Sequence, residues 1–206
     1  MELYWAMQLI TIALAAVASY LMGSIPSGVI VGRILGFDPR AVGSGNIGMT
    51  NVARAGGGGA AALTFLGDAL KGLIPVMVVR AAGFDATAVA VVGLAAFVGS
   101  IWSVFLRFRG GKGVACALGI WLVLSPLAVG IALVVFAIVF GRWRIMSLSS
   151  LSAAIALPPA VAALSSPQPY LALAIVITAL VLLRHRENIG RLVRGEEPMF
   201  KPASRG

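Results

Sequence analysis

Residues 107–144 read RFRGGKGVACALGIWLVLSPLAVGIALVVFAIVFGRWR, and whether their apolar centre crosses a membrane once or twice decides the fold. Residues 113–141 make either one long helix or two short ones broken around Ser125-Pro126. The basic residues settle the choice. Two helices put the loops near 33–60, 107–112 and 142–147 on the same side as the C-terminal tail. Arg33, Arg40, Arg54, Arg107, Arg109, Lys112, Arg142, Arg144 and every basic residue from Arg184 onward then share that side. Lys71 lies near the same end of its helix, and only Arg80 falls opposite, with Glu2 and Asp85. One long helix would instead split the basic loops between both faces. Short loops rich in lysine and arginine stay cytoplasmic. The pattern therefore predicts seven spanning helices, some short or broken, with the N-terminus outside and the C-terminus in the cytoplasm.

The remaining apolar runs fall near 3–32, 61–80, 86–106, 148–165 and 169–184. Of the 206 residues, 60% are hydrophobic and 11% charged, and mean hydropathy is +1.00. A soluble domain of this length has no interior large enough for that much apolar surface, so the expected solvent is lipid. The fold class is an all-α integral membrane protein, read as one polytopic domain over 1–206 with no linker and no internal repeat. The first twenty residues lack a basic n-region and read as a retained span, although Ala16-Val17-Ala18 faintly mimics a cleavage site. Cys116 is the lone cysteine, which excludes an internal disulfide and leaves it a helix-packing role. Net charge is +9, but the basic residues lie in short clusters between apolar runs. That arrangement speaks for membrane orientation and an anionic substrate, and against nucleic acid.

Polar residues and glycines gather in five places near the expected cytoplasmic side. Gly23-Ser24-Ile25-Pro26-Ser27-Gly28 would bend a helix or bring it close to a neighbour. Gly43-Ser44-Gly45-Asn46-Ile47-Gly48 matches G-x-G-x-x-G by letter, but an all-helical membrane chain offers no βαβ unit, so a dinucleotide site is rejected. The turn is still suited to an oxyanion nest of converging amides, with Ser44, Asn46, Thr50, Asn51 and Arg54 as further donors. A flexible polar loop is the alternative. Asp68 and Lys71 sit three apart on one helical face and read as an ion pair. Gly110-Gly111-Lys112-Gly113 lacks the spacing and hydroxyl of a Walker loop, so nucleotide hydrolysis is not supported. At the head of the short helix 113–124, it remains a reasonable phosphate cradle. Finally, His185, Asn188 and Arg191 repeat at i, i+3 and i+6 and share a face if helical. Arginines flank this only histidine, so it is expected to stay neutral and donate a hydrogen bond. A basic anchor on anionic lipid is the plainer reading of the segment. The seven acidic residues form no metal-ligand pattern, so neither metal nor cofactor is expected, and no Ser-His-Asp set is present.

These motifs resemble those of the PlsY-type acyl-phosphate:glycerol-3-phosphate acyltransferases of bacterial membranes. GSIPSG at 23–28, GSGNIGMTNVAR at 43–54, GDALKG at 67–72, FRGGKGVA at 108–115 and HRENIGRLVRGEE at 185–197 fall in that family's order. The resemblance implies seven membrane helices in the inner membrane and an active site on the cytoplasmic side. It implies acyl transfer from acyl phosphate to the 1-hydroxyl of glycerol 3-phosphate, giving lysophosphatidic acid and phosphate. By the same resemblance Ser44, Arg54, Lys112, His185 and Asn188 carry catalysis. From the two glycine loops, Gly43, Gly45, Asn46, Thr50, Asn51, Gly110, Gly111 and Gly113 are expected to contact substrate or phosphate, and the resemblance adds Ser147. Lys112 and the Gly110–Gly113 amides are expected on one phosphate, with Ser44 and Arg54 on the other. The acyl tail lies between helices, in contact with membrane lipid. Two positions depart from the family's pattern. Gly99-Ser100-Ile101-Trp102-Ser103 replaces a Gly-His-x-x-Pro stretch, and Cys116 replaces a threonine. A carrier for an organic phosphate or other anion is the competing reading, since broken glycine-rich helices serve transport as well.

Overall fold

The computed structural model describes residues 2–164 and 166–200, and among these the regular structure is helical. Ser165, at the end of the expected run 148–165, and the tail residues Lys201 and Arg205 lie outside the described residues. The helices are α1 (Glu2–Gly23), α2 (Ser27–Leu35), α3 (Met49–Ala81), α4 (Ala86–Ile101), α5 (Val114–Leu124), α6 (Pro126–Trp143), α7 (Met146–Ala163), α8 (Gln168–Arg184) and α9 (Arg186–Val193). Short 3₁₀ turns occupy Pro39–Ala41 and Val104–Leu106. Five stretches are long and apolar enough to cross a bilayer: Trp5–Leu35, Met49–Ala81, Ala86–Leu106, Pro126–Trp143 and Met146–Ala163. A sixth arises when α8 is taken with α9 across a 64° bend. The 11-residue α5 is shorter, about 16 Å at roughly 1.5 Å per residue.

The expected run 3–32 is two helices. Pro26 has no N–H to continue α1, and the chain restarts at Ser27. Such a break frees carbonyls that lipid cannot satisfy. Lys71 Nζ donates to Ile25 O at 3.1 Å, and Ser103 Oγ donates to Ser24 O at 2.5 Å. Lys71 is buried and also pairs with Asp68 at 2.8 Å. The Asp68–Lys71 pair thus ties α3 to the break between α1 and α2. Helix α3 has its own interruption at Gly57, where φ is +78° and ψ is −174°. Its first two turns, which carry Thr50, Asn51 and Arg54, are set off from the long span behind them.

The break at Ser125-Pro126 is present, with Ser125 closing α5 and Pro126 opening α6. Helix α5 is inserted against α3, α4 and α8, and Trp121, Ile120, Phe97 and Ile177 form the fully buried centre. Its approach to α3 depends on glycine. A Cβ at Gly119 would overlap Ala69 O, and one at Gly72 would overlap Cys116 O. Elsewhere the outer surface is apolar, as Leu9, Leu14, Leu127, Val134 and Ile138 are exposed on α1 and α6. Water would penalise that surface and hydrocarbon does not.

Candidate active site

The polar ends of α3, α5, α7 and α8, together with α9, surround one cavity of about 1400 Å³. Its upper wall is polar and includes Ser44, Arg54, Lys112, Ser147, His185 and Asn188. Below them Trp121, Leu133, Phe136, Leu157 and Ile177 give an apolar wall between α5, α6, α7 and α8. The sequence separates these polar residues by up to 144 positions, and the fold brings them to one chamber. Gly45 and Gly110 do not line it. The other expected contacts Gly43, Asn46, Thr50, Asn51, Gly111 and Gly113 do.

The loop 43–48 departs from an open nest. Ser44 N–H donates to Asn51 Oδ1 at 3.0 Å, Gly45 N–H to Val42 O at 3.0 Å and Gly48 N–H to Asn46 Oδ1 at 2.8 Å. These amides are occupied, so they do not converge on a ligand. The buried Asn51 side chain is the organiser: Nδ2 also donates to Pro39 O, Val42 O and Asn46 O, at 2.7, 3.0 and 2.9 Å. Every hydrogen-bonding atom of its amide is therefore used in shaping the loop. What the loop presents to the cavity is side chains, chiefly the exposed Ser44 hydroxyl and Arg54 guanidinium.

The glycine-rich loop before α5 needs a similar correction. Gly110 N–H donates to Ile101 O at 3.2 Å and Gly111 N–H to Ser100 O at 3.1 Å, so neither amide is free for phosphate. Gly110 is a packing glycine, because a Cβ there would stand 2.5 Å from Ser100 O. Gly113 turns the chain into α5 at φ +78°. From Val114 onward the first amides of α5 have no intrahelical partner, and Val114, Ala115 and Cys116 line the cavity. What this motif presents to the cavity is therefore Lys112 with the head of α5, rather than the glycine amides.

Lys112 Nζ donates to Asn188 Oδ1 at 2.5 Å. Burial lowers its pKa to about 8; the Glu197 carboxylate opposes that shift and the Arg191 charge adds to it. His185 is buried, and its Nδ1 lies 2.8 Å from Val181 O. A carbonyl only accepts, so Nδ1 carries the proton and neutral His185 keeps its Nε2 lone pair. The ring is fixed in place by this bond. Its one N–H is spent on the backbone, and what it offers the cavity is an acceptor.

Glu197 is the site residue that sequence reasoning missed. Its carboxylate accepts from Ser147 Oγ at 2.7 Å, Asn188 Nδ2 at 2.5 Å and Arg191 Nε at 2.7 Å. Burial would raise this carboxyl, but the three hydrogen bonds outweigh it and hold the pKa below its ordinary value. Glu197 is brought back to the cavity by residues 195–200, of which Pro198, Met199 and Phe200 also line it. Phe200 N–H donates to Arg144 O at 2.7 Å, and its ring packs against Phe140. The GEE ending of the last motif was a signal, but nothing in its spacing points to Ser147, fifty residues earlier. Ser100 and Cys116 both line the cavity and turn back onto α4, Ser100 Oγ to Phe97 O at 2.6 Å and Cys116 Sγ to Ala96 O at 3.7 Å. Neither provides the reach of an imidazole. Among the described residues no three His, Cys, Asp or Glu side chains are placed to hold a metal ion.

Comparison with known proteins gives a consistent match. The family model for glycerol-3-phosphate acyltransferase matches residues 13–195. A glycerol-3-phosphate acyltransferase of Geobacter metallireducens is 51% identical over 193 residues, 94% of this chain and 99% of that one. One from Geotalea daltonii is 47% identical over 185 residues, covering 90% and 95%. Among solved structures, the glycerol 3-phosphate form of PlsY, an integral membrane glycerol 3-phosphate acyltransferase, superposes with a TM-score of 0.88 at 40% identity. It covers 93% of this chain and 96% of that chain. The lysophosphatidic acid form of the same protein gives 0.87 at 39% identity.

Proposed function

This chain belongs to the glycerol-3-phosphate acyltransferase family, and from that premise we propose that it moves a fatty acyl group from an acyl phosphate to the 1-hydroxyl of glycerol 3-phosphate. The products are lysophosphatidic acid and inorganic phosphate. The observation that carries this reading is a single cavity with cationic and hydroxyl groups at one end and an apolar wall below. Such a chamber suits an anionic head and a hydrocarbon tail on the same molecule. An acyl phosphate is already an activated mixed anhydride, so no protein nucleophile is required. The protein must hold two mutually repelling phosphates within reach of each other, which needs fixed positive groups.

Lys112 and the head of α5 take one phosphate, and Ser44 and Arg54 take the other. His185 Nε2 and Asn188 orient the glycerol hydroxyls, with Ser147 beside them. His185 is assigned an orienting role and does not take the hydroxyl proton. A phosphate oxygen of the substrates accepts it as the carbonyl–phosphate bond breaks, and phosphate leaves with the electron pair. Holding the partners in this geometry supplies several kcal/mol of the acceleration.

The placement in the cell belongs to the same proposal. The chain crosses the bacterial inner membrane seven times, counting the broken α1–α2 span and the short α5. The N-terminus is outside and the cavity opens to the cytoplasm. A cysteine introduced in place of Arg109 should react with an impermeant reagent only once the inner face is exposed. For the chemistry, purified protein in detergent is given glycerol 3-phosphate with acyl phosphate, acyl-CoA or acyl carrier protein in turn. Phosphate release with acyl phosphate alone supports the reading. Transfer only from a thioester would overturn the donor, and no transfer from any donor would overturn the enzyme reading.

A further inference from the structure

Arg184 closes α8 and does not line the cavity, yet its guanidinium reaches the loop that carries Lys112. Nη2 donates to Gly110 O at 2.9 Å and Nε to Gly111 O at 3.1 Å. The amides of the same two glycines are held from the other side by the last carbonyls of α4, Ile101 O and Ser100 O. Gly110-Gly111 is therefore clamped at both faces of its peptide groups, with α4 on one side and α8 on the other. One residue further on, the ammonium of Lys112 rests on Asn188, carried by the helix that Arg184 adjoins. The end of α8 and the start of α9 thus grip the loop twice, by its backbone through Arg184 and by its lysine through Asn188.

We infer that Arg184 is a positioning residue for acyl transfer, fixing the carbonyls of Gly110 and Gly111 so that Lys112 and the first amides of α5 face the phosphate. This rests on the reading of Lys112 as a phosphate-holding group. A guanidinium spans two adjacent carbonyls with a planar fork, which an ammonium, a point donor, does not reproduce. Glycines have no side chain to resist a shift once the fork is gone. A displacement of about 1 Å at a reacting group costs on the order of 100-fold in rate.

The test compares wild type with Arg184→Ala and Arg184→Lys, following phosphate release from acyl phosphate and glycerol 3-phosphate. Thermal unfolding in detergent and gel filtration report the fold. Arg184→Ala should lose kcat/KM by about 100-fold. Guanidinium ion at sub-denaturing concentration should restore part of it, and methylammonium should not. Arg184→Lys should stay closer to alanine than to wild type. A residue needed only for folding would not respond to added guanidinium. Activity of Arg184→Ala within about twofold of wild type overturns the inference. So does a loss with intact fold that guanidinium leaves unchanged, or full activity in Arg184→Lys. If Arg184→Ala does not fold, Arg184→Lys decides alone, a large loss at wild-type stability supporting the inference and normal turnover overturning it. An inactive wild type would sink the functional reading itself, whereas an active wild type beside indifferent variants sinks only this role.

Discussion

If Lys112 holds phosphate as proposed, the reaction should have a definite alkaline limit. Its ammonium is partly withdrawn from water between α5 and α9, and burial brings its pKa to about 8. In the role proposed for Lys112, the charged form is the one that would hold phosphate. At pH 7 about nine-tenths of the free enzyme carries that charge, and at pH 9 about one-tenth does. The sign follows directly: the group is charged below its pKa, so phosphate affinity is present at low pH and lost as pH rises. For the free enzyme, kcat/KM should fall close to tenfold between about pH 7 and 9. Bound phosphate favours the ammonium, so the corresponding fall in kcat should lie at higher pH. The assay is phosphate release at subsaturating and saturating glycerol 3-phosphate across that range, in detergent at fixed ionic strength. Lys112→Arg keeps its charge beyond about pH 12, so its alkaline limb should vanish even though its absolute rate is lower. A limb that persists unchanged in Lys112→Arg, or a flat wild-type profile between pH 7 and 9, would refute the assignment.

Other consequences are equally direct. Lys112→Ala and Arg54→Ala should each abolish most turnover while the protein still folds by gel filtration and thermal unfolding. His185→Asn should retain more activity than His185→Ala, since an amide still offers an acceptor, and neither should remove a titration near neutral pH. Glu197→Gln keeps the acceptor for Ser147 and Asn188 but sets an amide against Arg191 Nε. The lost charge-assisted bond should cost about 1.5–3 kcal/mol, read as a lower unfolding midpoint with a raised KM. Gly110→Ala should sharply reduce folded yield, because its methyl would meet Ser100 O at 2.5 Å. Gly111→Ala finds its nearest neighbour at 3.8 Å and should express and turn over nearly as wild type.

The apolar runs, the break at Ser125-Pro126 and the shared face of His185, Asn188 and Arg191 were legible because each depends on local period or composition. The structure keeps the break and brings His185, Asn188 and Arg191 to one cavity, and among the runs it divides the first at Pro26. Much of the rest depends on hydrogen bonds between distant segments. Asn51 reads as a donor to ligand in the motif but spends its amide on Pro39, Val42, Ser44 and Asn46. Glu197 meets Ser147 across 50 positions, and Arg184 meets Gly110 across 74. No periodicity encodes such pairs. The glycine motifs were legible as special backbone, but whether their amides point to a ligand or to a neighbouring carbonyl is decided only by what packs behind them.

The short α5 has a consequence for fidelity. Its length is about half of a roughly 30 Å hydrocarbon layer, and its first residue marks the top of the apolar wall. An acyl phosphate seated there would keep its carbonyl where bulk water is scarce, while its tail remains in lipid. Water is the commonest competing nucleophile for a mixed anhydride, and in the proposed arrangement glycerol 3-phosphate would reach the carbonyl from the cationic side. A helix only about half as long as the hydrocarbon layer would thereby discourage hydrolysis. Extending α5 by a turn should raise the ratio of free fatty acid to lysophosphatidic acid among the products.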